Sequence, residues 1–338
     1  MTATAVGPRS LASLIDEANG RVACLVMSRD PNAKMTILLF PPGGDQPAYV
    51  AKVPTTDAAA RSVEREADHL AQIACRGLGP VSPTVPRVTA MAQHQGRPVL
   101  VTTALPGRLM LAAYHTWRHT ARPAVVAADF AAAGTWLTEL HRRTADGDIG
   151  IASMLDGTAE AIHRRHGGRP GIGADLAGLN DLRRRLTPYR TPRTVVHGDF
   201  WPGNLLVAGD RVSGVIDWEA ARVDGPATRD VARFAVSYSL YLDRHTRPGR
   251  QVAGHRGLRA GSWGAGVAYA LDGAGWYPEL VREFVARALR RLGVPASCWR
   301  DVLLAELLIV AAEADHDDFA WRHLLLFRRL YREGRRGR

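Results

Sequence analysis

The chain has 338 residues, 46% hydrophobic and 23% charged, with 33 Gly and 20 Pro. That is material for two domains or one large bilobed unit, and it excludes a disordered or collagen-like chain. The formal charge is +11, from 44 Lys plus Arg against 33 Asp plus Glu. Only Lys34 and Lys52 are lysines, and six arginines crowd between Arg328 and Arg338. Such an end reads as a solvated helix terminus, and charge alone does not make a nucleic-acid partner. No run reaches about 18 uninterrupted apolar residues, so no membrane span is expected. Residues 1–20 lack the layout of a secretion signal. Cys24, Cys75 and Cys298 are too few and too scattered for a disulfide framework or a metal pair, which predicts a reducing, cytoplasmic setting.

In chain order, residues 21–30 and 34–40 read as strands around an Asp30-Pro31-Asn32 turn, and 48–53 as a third. Residues 57–75 read as a helix with Asp57 as N-cap and Val63, Ala67, Leu70, Ala71 and Ala74 on one face. Strands near 86–92 and 98–103 follow, joined by a polar turn. One helix among five strands predicts an antiparallel sheet, not a doubly wound parallel one. After Leu105-Pro106-Gly107 the pattern turns helical, with helices expected at 123–143, 157–166, 175–186, 227–242, 278–292 and 299–331. Short strands interrupt at 194–197, 205–207 and 212–217. Residues 243–275, rich in Gly and Arg, show no clear period and read as a disordered or functional loop. The chain divides into residues 1–105 and 106–338.

Neither lysine follows glycine, which excludes a P-loop, and Gly171-Ile-Gly173 lacks the third glycine of a dinucleotide fingerprint. His163 and His166 have no carboxylate or cysteine at metal spacing. The informative segment is His197-Gly-Asp199-Phe-Trp-Pro-Gly-Asn204, a His-x-Asp-x4-Asn pattern between apolar strand sequences, with Ile216-Asp217-Trp218-Glu219 close behind. A carboxylate and an amide on one loop, beside a second carboxylate from the next hairpin, form a hard-oxygen set suited to Mg²⁺. The other carboxylate stays free to orient an attacking hydroxyl and accept its proton. This is minimal equipment for phosphoryl transfer.

These segments resemble the catalytic and metal loops of the aminoglycoside phosphotransferase (APH) and choline kinase group, which shares the protein-kinase fold. The resemblance continues through Tyr49-Val-Ala-Lys52-Val, Arg65-Glu66-Ala-Asp-His-Leu70, Val99 to Gly107, Leu137-Thr-Glu-Leu-His141 and Gly225-Pro-x3-Asp230-Val-Ala, in family order from about residue 48 to 235. It implies an α+β, bilobed fold, with a small five-stranded antiparallel sheet and one helix before a larger helical lobe. It implies Asp199 as catalytic base, and Asn204 and Asp217 as holders of Mg²⁺. Lys52 would meet the nucleotide phosphates, held by Glu66, with Glu64 as the rival partner. Thr103, Ala104 and Leu105 would receive the adenine through backbone groups. The nucleotide that the resemblance implies is ATP, with GTP left open. His197 is expected to shape the loop through hydrogen bonds, and Asp230 to brace its backbone.

The turn between the first two strands has no glycine, a departure that weakens the phosphate contacts expected there. Trp218 stands where a protein kinase has the Phe of Asp-Phe-Gly, and no activation loop follows, which excludes protein-kinase activity. The implied partner is a small hydroxylated acceptor, with no nucleic acid and no membrane. An antibiotic leads. The alternatives are a metabolic kinase for a sugar, nucleoside, amino alcohol or biosynthetic intermediate, and a catalytically silent kinase-like binding protein. The positive charge favours a neutral or nucleoside-type acceptor over a polycationic aminoglycoside, with 243–275 as a lid carrying Trp263. Against this, Glu306, Glu313, Asp315, Asp317 and Asp318 make the late helical segment acidic and able to line an acceptor pocket, while Asp315 to Asp318 also reads as the cap of a new helix near Phe319.

Overall fold

Alternating apolar residues set the first sheet. The computed structural model describes residues 9–17, 21–27 and 31–336; residues 28–30 of the expected first strand and turn, and Arg338, lie outside these. The elements are β1 (Arg9–Ser10), α1 (Leu11–Glu17), β2 (Val22–Met27), β3 (Lys34–Leu39), β4 (Tyr49–Pro54), α2 (Asp57–Ala74), β5 (Val88–His94) and β6 (Arg97–Thr103). Strands β2 to β6 pair antiparallel in the order β5-β6-β4-β3-β2. The expected five-stranded sheet needs one correction: the two-residue β1 adds a sixth strand, parallel to β5. So short an element has no periodicity of its own to read. Ile37, Leu39, Ala51, Val53, Val99 and Val101 share one face and make a small core. Leu100, on the opposite face, packs into the main core with Val63, Leu70 and Ile73 of α2.

Thr56, not Asp57, caps α2, its hydroxyl accepting from the Ala59 amide at 3.1 Å. Asp57 instead sits in the first turn, where the helix dipole favours an acid. The buried positions Ala59, Ser62, Val63, Glu66, Leu70 and Ile73 follow the helical period, and they turn Glu66 inward while Glu64 faces solvent. The sheet passes to the helical part through Pro106 and Gly107. Gly107 has φ +118°, and a Cβ there would lie 2.2 Å from Ser213 Oγ, so only glycine fits this close crossing.

The larger part holds β7 (Arg108–Leu109), α3 (Met110–Tyr114), α4 (Pro123–Thr144), β8 (Asp148–Gly150), α5 (Thr158–His166), α6 (Ile172–Leu186), β9 (Arg190–Val196), β10 (Leu205–Ala208), β11 (Arg211–Val215) and β12 (Arg222–Pro226). It continues with α7 (Thr228–Leu240), α8 (Ala265–Asp272), α9 (Trp276–Arg291), α10 (Trp299–Glu313) and α11 (Asp317–Arg336). Two three-stranded sheets, β11-β10-β7 and β12-β9-β8, flank the loop after β9. Helix α4 packs against β9, α7 and α9, and the nearly all-buried α10 against α7 and α11.

Two expectations fail here. The single helix read over 299–331 breaks at residues 314–316, where Asp317 and Asp318 start α11 in its first turn. The 243–275 segment is not disordered. Val252, His255, Leu258 and Ala260 are buried, α8 lies within it, and His255 donates from Nε2 to the Thr120 carbonyl at 2.8 Å. Trp263 packs against Phe319 and His323. Among the described residues, no helix is long and apolar enough to cross a membrane.

Candidate active site

The loop after β9 is shaped from beneath. Asp230, fully buried near the start of α7, accepts the His197 and Gly198 amides at 2.7 and 2.9 Å. A buried carboxylate taking two backbone donors holds a loop firmly. Gly198 has φ +80°, and a Cβ there would meet the Ala220 carbonyl at 2.2 Å. His197 is fully buried: Nε2 donates to the Ile216 carbonyl at 2.9 Å, and Nδ1 accepts the Asp199 amide at 3.2 Å. One ring thus ties this loop to the strand end leading to Asp217.

Asn204 donates from Nδ2 to the Asp199 carbonyl at 2.9 Å and to Asp199 Oδ2 at 3.0 Å. Its carbonyl accepts the Ile216 amide at 2.9 Å, so β10 and β11 bring Asn204 beside the residue before Asp217. Asp217 has φ 69° and ψ 63°, a left-handed conformation that aspartate tolerates. Its Oδ1 receives Lys52 Nζ at 2.8 Å, and the same ammonium lies 2.7 and 2.5 Å from the two Glu66 oxygens. Glu66 also accepts the Trp218 amide at 3.2 Å, and His69 Nδ1 donates to the Trp218 carbonyl at 3.0 Å, docking α2 on the metal-loop candidate. Burial alone would lower the Lys52 pKa, but Asp217 and Glu66 outweigh it and push it up. Burial alone would raise the Asp217 pKa, but Lys52 and Lys34 hold it well below the usual carboxylate range.

The structure therefore brings Lys52, Glu66, Asp199, Asn204 and Asp217 into one cluster. The hinge is more constrained than expected: the Thr103 amide donates to the Arg87 carbonyl and the Ala104 amide to the Ala48 carbonyl, both at 2.9 Å. A nucleotide could use those two donors only by breaking sheet bonds. Leu105 packs on Gly214.

Several neighbours escaped the sequence reading. Lys34 and Ser62 both bond Glu219, whose other oxygen accepts from Asn32 at 2.7 Å. Glu66, Asp217 and Glu219 bring carboxylate oxygens within 4.8 Å of one another. Arg233 of α7 grips Asp199 Oδ1 with Nε at 3.0 Å and a terminal nitrogen at 2.5 Å. Its other terminal nitrogen lies 3.6 Å from Glu306. A signal for it existed: Arg229 and Arg233 stand one turn apart in a helix otherwise buried and largely apolar. A cavity of about 570 Å³ opens in front of Asp199, with Arg65, Arg222, Arg229, Arg233, Glu306 and Glu313 among its walls. Asp315 lines it too, whereas Asp317 and Asp318 pair with Arg165 and Arg322 away from it. No residue of 243–275 is among the described residues that line it.

The sequence model of the phosphotransferase enzyme family (APH) matches residues 42–266. Among curated proteins, a homoserine kinase of Methylocella silvestris is 32% identical over 164 residues, 46% of each chain. A homoserine kinase of Brucella anthropi is 30% identical over 169 residues, 45% of each. The match thus spans less than half the length of these relatives. Among solved structures, a thermostable mutant of aminoglycoside phosphotransferase APH(4)-Ia, in a ternary complex with AMP-PNP and hygromycin B, superposes with a TM-score of 0.59 at 14% identity, covering 95% of this chain and 97% of that one. A macrolide 2'-phosphotransferase type I gives 0.50 at 16% identity, covering 94% and 95%. At these identities the likeness speaks for the fold, which is the bilobed kinase-like one. With the family model covering well over half of the chain, this protein belongs to the APH phosphotransferase enzyme family.

Proposed function

We propose that this chain is an ATP- and Mg²⁺-dependent kinase that transfers the γ-phosphoryl group to a hydroxyl of a small molecule. The observation that carries this reading is the position of Asp199. Its carboxylate faces the 570 Å³ cavity, while Asn204, bonded to it, leads to Asp217 and Lys52. Asp199 orients the acceptor hydroxyl and takes its proton as the oxygen bonds the γ-phosphorus and the β–γ bridging bond breaks. Lys52, held by Glu66, meets the nucleotide phosphates. The donor set fits Mg²⁺: Asn204 spends its amide nitrogen on Asp199, which turns its side-chain oxygen away from that bond, and Asp217 supplies a charged oxygen. When bound, the ion neutralises charge on the phosphates. The solved relative with AMP-PNP supports the nucleotide. Cys24, Cys75 and Cys298 are free thiols, in keeping with a cytoplasmic enzyme.

The acceptor side favours a neutral or zwitterionic molecule. Three of the cavity's arginines are bonded or paired to carboxylates: Arg233 to Asp199, and Arg229 and Arg222 to Glu313. A polycation would find Asp199 and Glu313 already engaged. The volume falls in the range of about 300–1,000 Å³ that buries a drug-sized ligand, which favours an antibiotic-like acceptor such as a nucleoside or glycosylated compound. A second reading, a metabolic kinase for a hydroxylated amino acid, draws on the homoserine kinase relatives. The test is ADP release with Mg-ATP across L-homoserine, macrolides, nucleoside antibiotics, sugars, choline and hygromycin B, at two salt concentrations. Neutral or zwitterionic acceptors should be turned over best, with little salt effect. Efficient, salt-weakened turnover of a tri- or tetracation, lost on Glu313→Gln with Asp315→Asn, would overturn the acceptor reading alone.

A further inference from the structure

Asp199 is hydrogen-bonded at both of its carboxylate oxygens. Oδ2 accepts from Asn204, and Oδ1 accepts twice from Arg233, at 3.0 and 2.5 Å. An acceptor hydroxyl approaching Oδ1 meets a planar guanidinium already seated there, a far stronger donor than a neutral hydroxyl. Beyond Arg233 stands Glu306 of α10, 1% exposed, outside the segment that the family model matches. The closest pair between them is 3.6 Å, too long for a hydrogen bond, and Glu306 Oε2 has no hydrogen-bond partner among the described residues. A buried carboxylate oxygen without a donor is costly, and a donor-rich group one side chain away can remove that cost by turning toward it. Arg233 thus has two carboxylates within reach, one engaged and one waiting.

We propose that Arg233 is a latch on Asp199. Without acceptor it holds the base and keeps water from it; when an acceptor hydroxyl takes Oδ1, the guanidinium passes to Glu306. The latch rests on the kinase reading above. The exchange keeps Arg233 against a carboxyl group in both positions. It makes Arg233 a positioning residue, acting through the base. The charged groups facing Glu306 are Arg233, Arg229 and Asp230 from α7 and Glu313 from its own helix. Burial outweighs the two arginines and pushes the Glu306 carboxyl up to about 8. Ionising Glu306 should therefore draw Arg233 off the base even without acceptor.

The experiment is ADP release from Mg-ATP alone, with water as the only acceptor, measured between pH 6.5 and 9. Arg233→Met should raise this idle release about tenfold, and Arg233→Lys, which keeps the charge without the fork, should raise it less. In the wild type, idle release should climb as pH passes through about 8, and Glu306→Gln should remove that step. Idle release in folded Arg233→Met at or below the wild-type level would overturn the latch. Should that variant fail to fold, an unchanged pH step in Glu306→Gln would overturn it just as well. Asp199→Asn separates the two claims. If its idle release equals that of the wild type at every pH, the kinase reading fails and the latch with it. If it is lower while Arg233→Met and Glu306→Gln behave as wild type, the latch alone fails.

Discussion

The two halves of the site neutralise their carboxylates with different cations. On the proposed nucleotide side, Glu66, Asp217 and Glu219 are met by Lys52 and Lys34, the only lysines in the chain. On the proposed acceptor side, Asp199 and Glu313 are met by Arg233, Arg229 and Arg222. An ammonium is a compact point charge with three freely directed donors, and it can share itself among several carboxylate oxygens. A guanidinium is a flat fork that fixes the angle of one carboxylate. In a chain where arginine outnumbers lysine so heavily, genome composition cannot account for both lysines meeting here. The contrast sets shared point charges on one side against oriented forks on the other.

Removing a carboxylate that shares such a point charge should have the largest effect. Asp217→Asn should lower kcat/KM roughly a thousandfold, with partial rescue by raised Mg²⁺ or Mn²⁺. A metal dependence identical to wild type would remove Asp217 from the metal site. Lys52→Arg tests the distinction between the cations directly. A fork cannot reproduce one nitrogen shared by Glu66 and Asp217, so KM for ATP should rise about a hundredfold, on the order of 2–3 kcal/mol of lost charged hydrogen bonding. Full retention of nucleotide affinity by that variant would erase the contrast.

A smaller effect belongs to the scaffold around both halves. His141 and His323 are buried, and burial pushes both imidazoles down to about 3. In the unfolded chain each takes a proton near pH 6.5, which the folded form refuses until about pH 3. Between those values the unfolded state holds more protons, so stability falls as pH falls, by about 1.4 kcal/mol per unit for each histidine. Thermal melts from pH 7 to 4 should show this loss, and His141→Phe should flatten it. An acid limb unchanged in that variant would contradict the assignment.

Much of the site was legible because its parts are contiguous. Asp199 and Asn204 sit on one loop, Lys52 lies in an apolar strand, and the helical period of α2 separates Glu66 from Glu64. What escaped were pairings across long stretches of chain, whose partners local pattern does not name even where, as at Arg233, it marks the residue: Lys34 with Glu219, Arg233 with Asp199, and Arg233 with Glu306. The two-residue strands β1 and β7 exist only through their partners, so no alternation marks them. The 243–275 segment misled because its glycines read as flexibility. Its buried residues are held by tertiary contacts such as His255 with Thr120.

The most direct test of the account is Asp199→Asn, assayed for both turnover and nucleotide binding with whichever acceptor the wild type uses best. In the proposed reaction Asp199 meets the hydroxyl and not the phosphates, so turnover should fall at least about a thousandfold while affinity for Mg-ATP stays within a few fold. Turnover near the wild-type rate, in a variant that binds nucleotide normally, would contradict the assignment of Asp199 as the base.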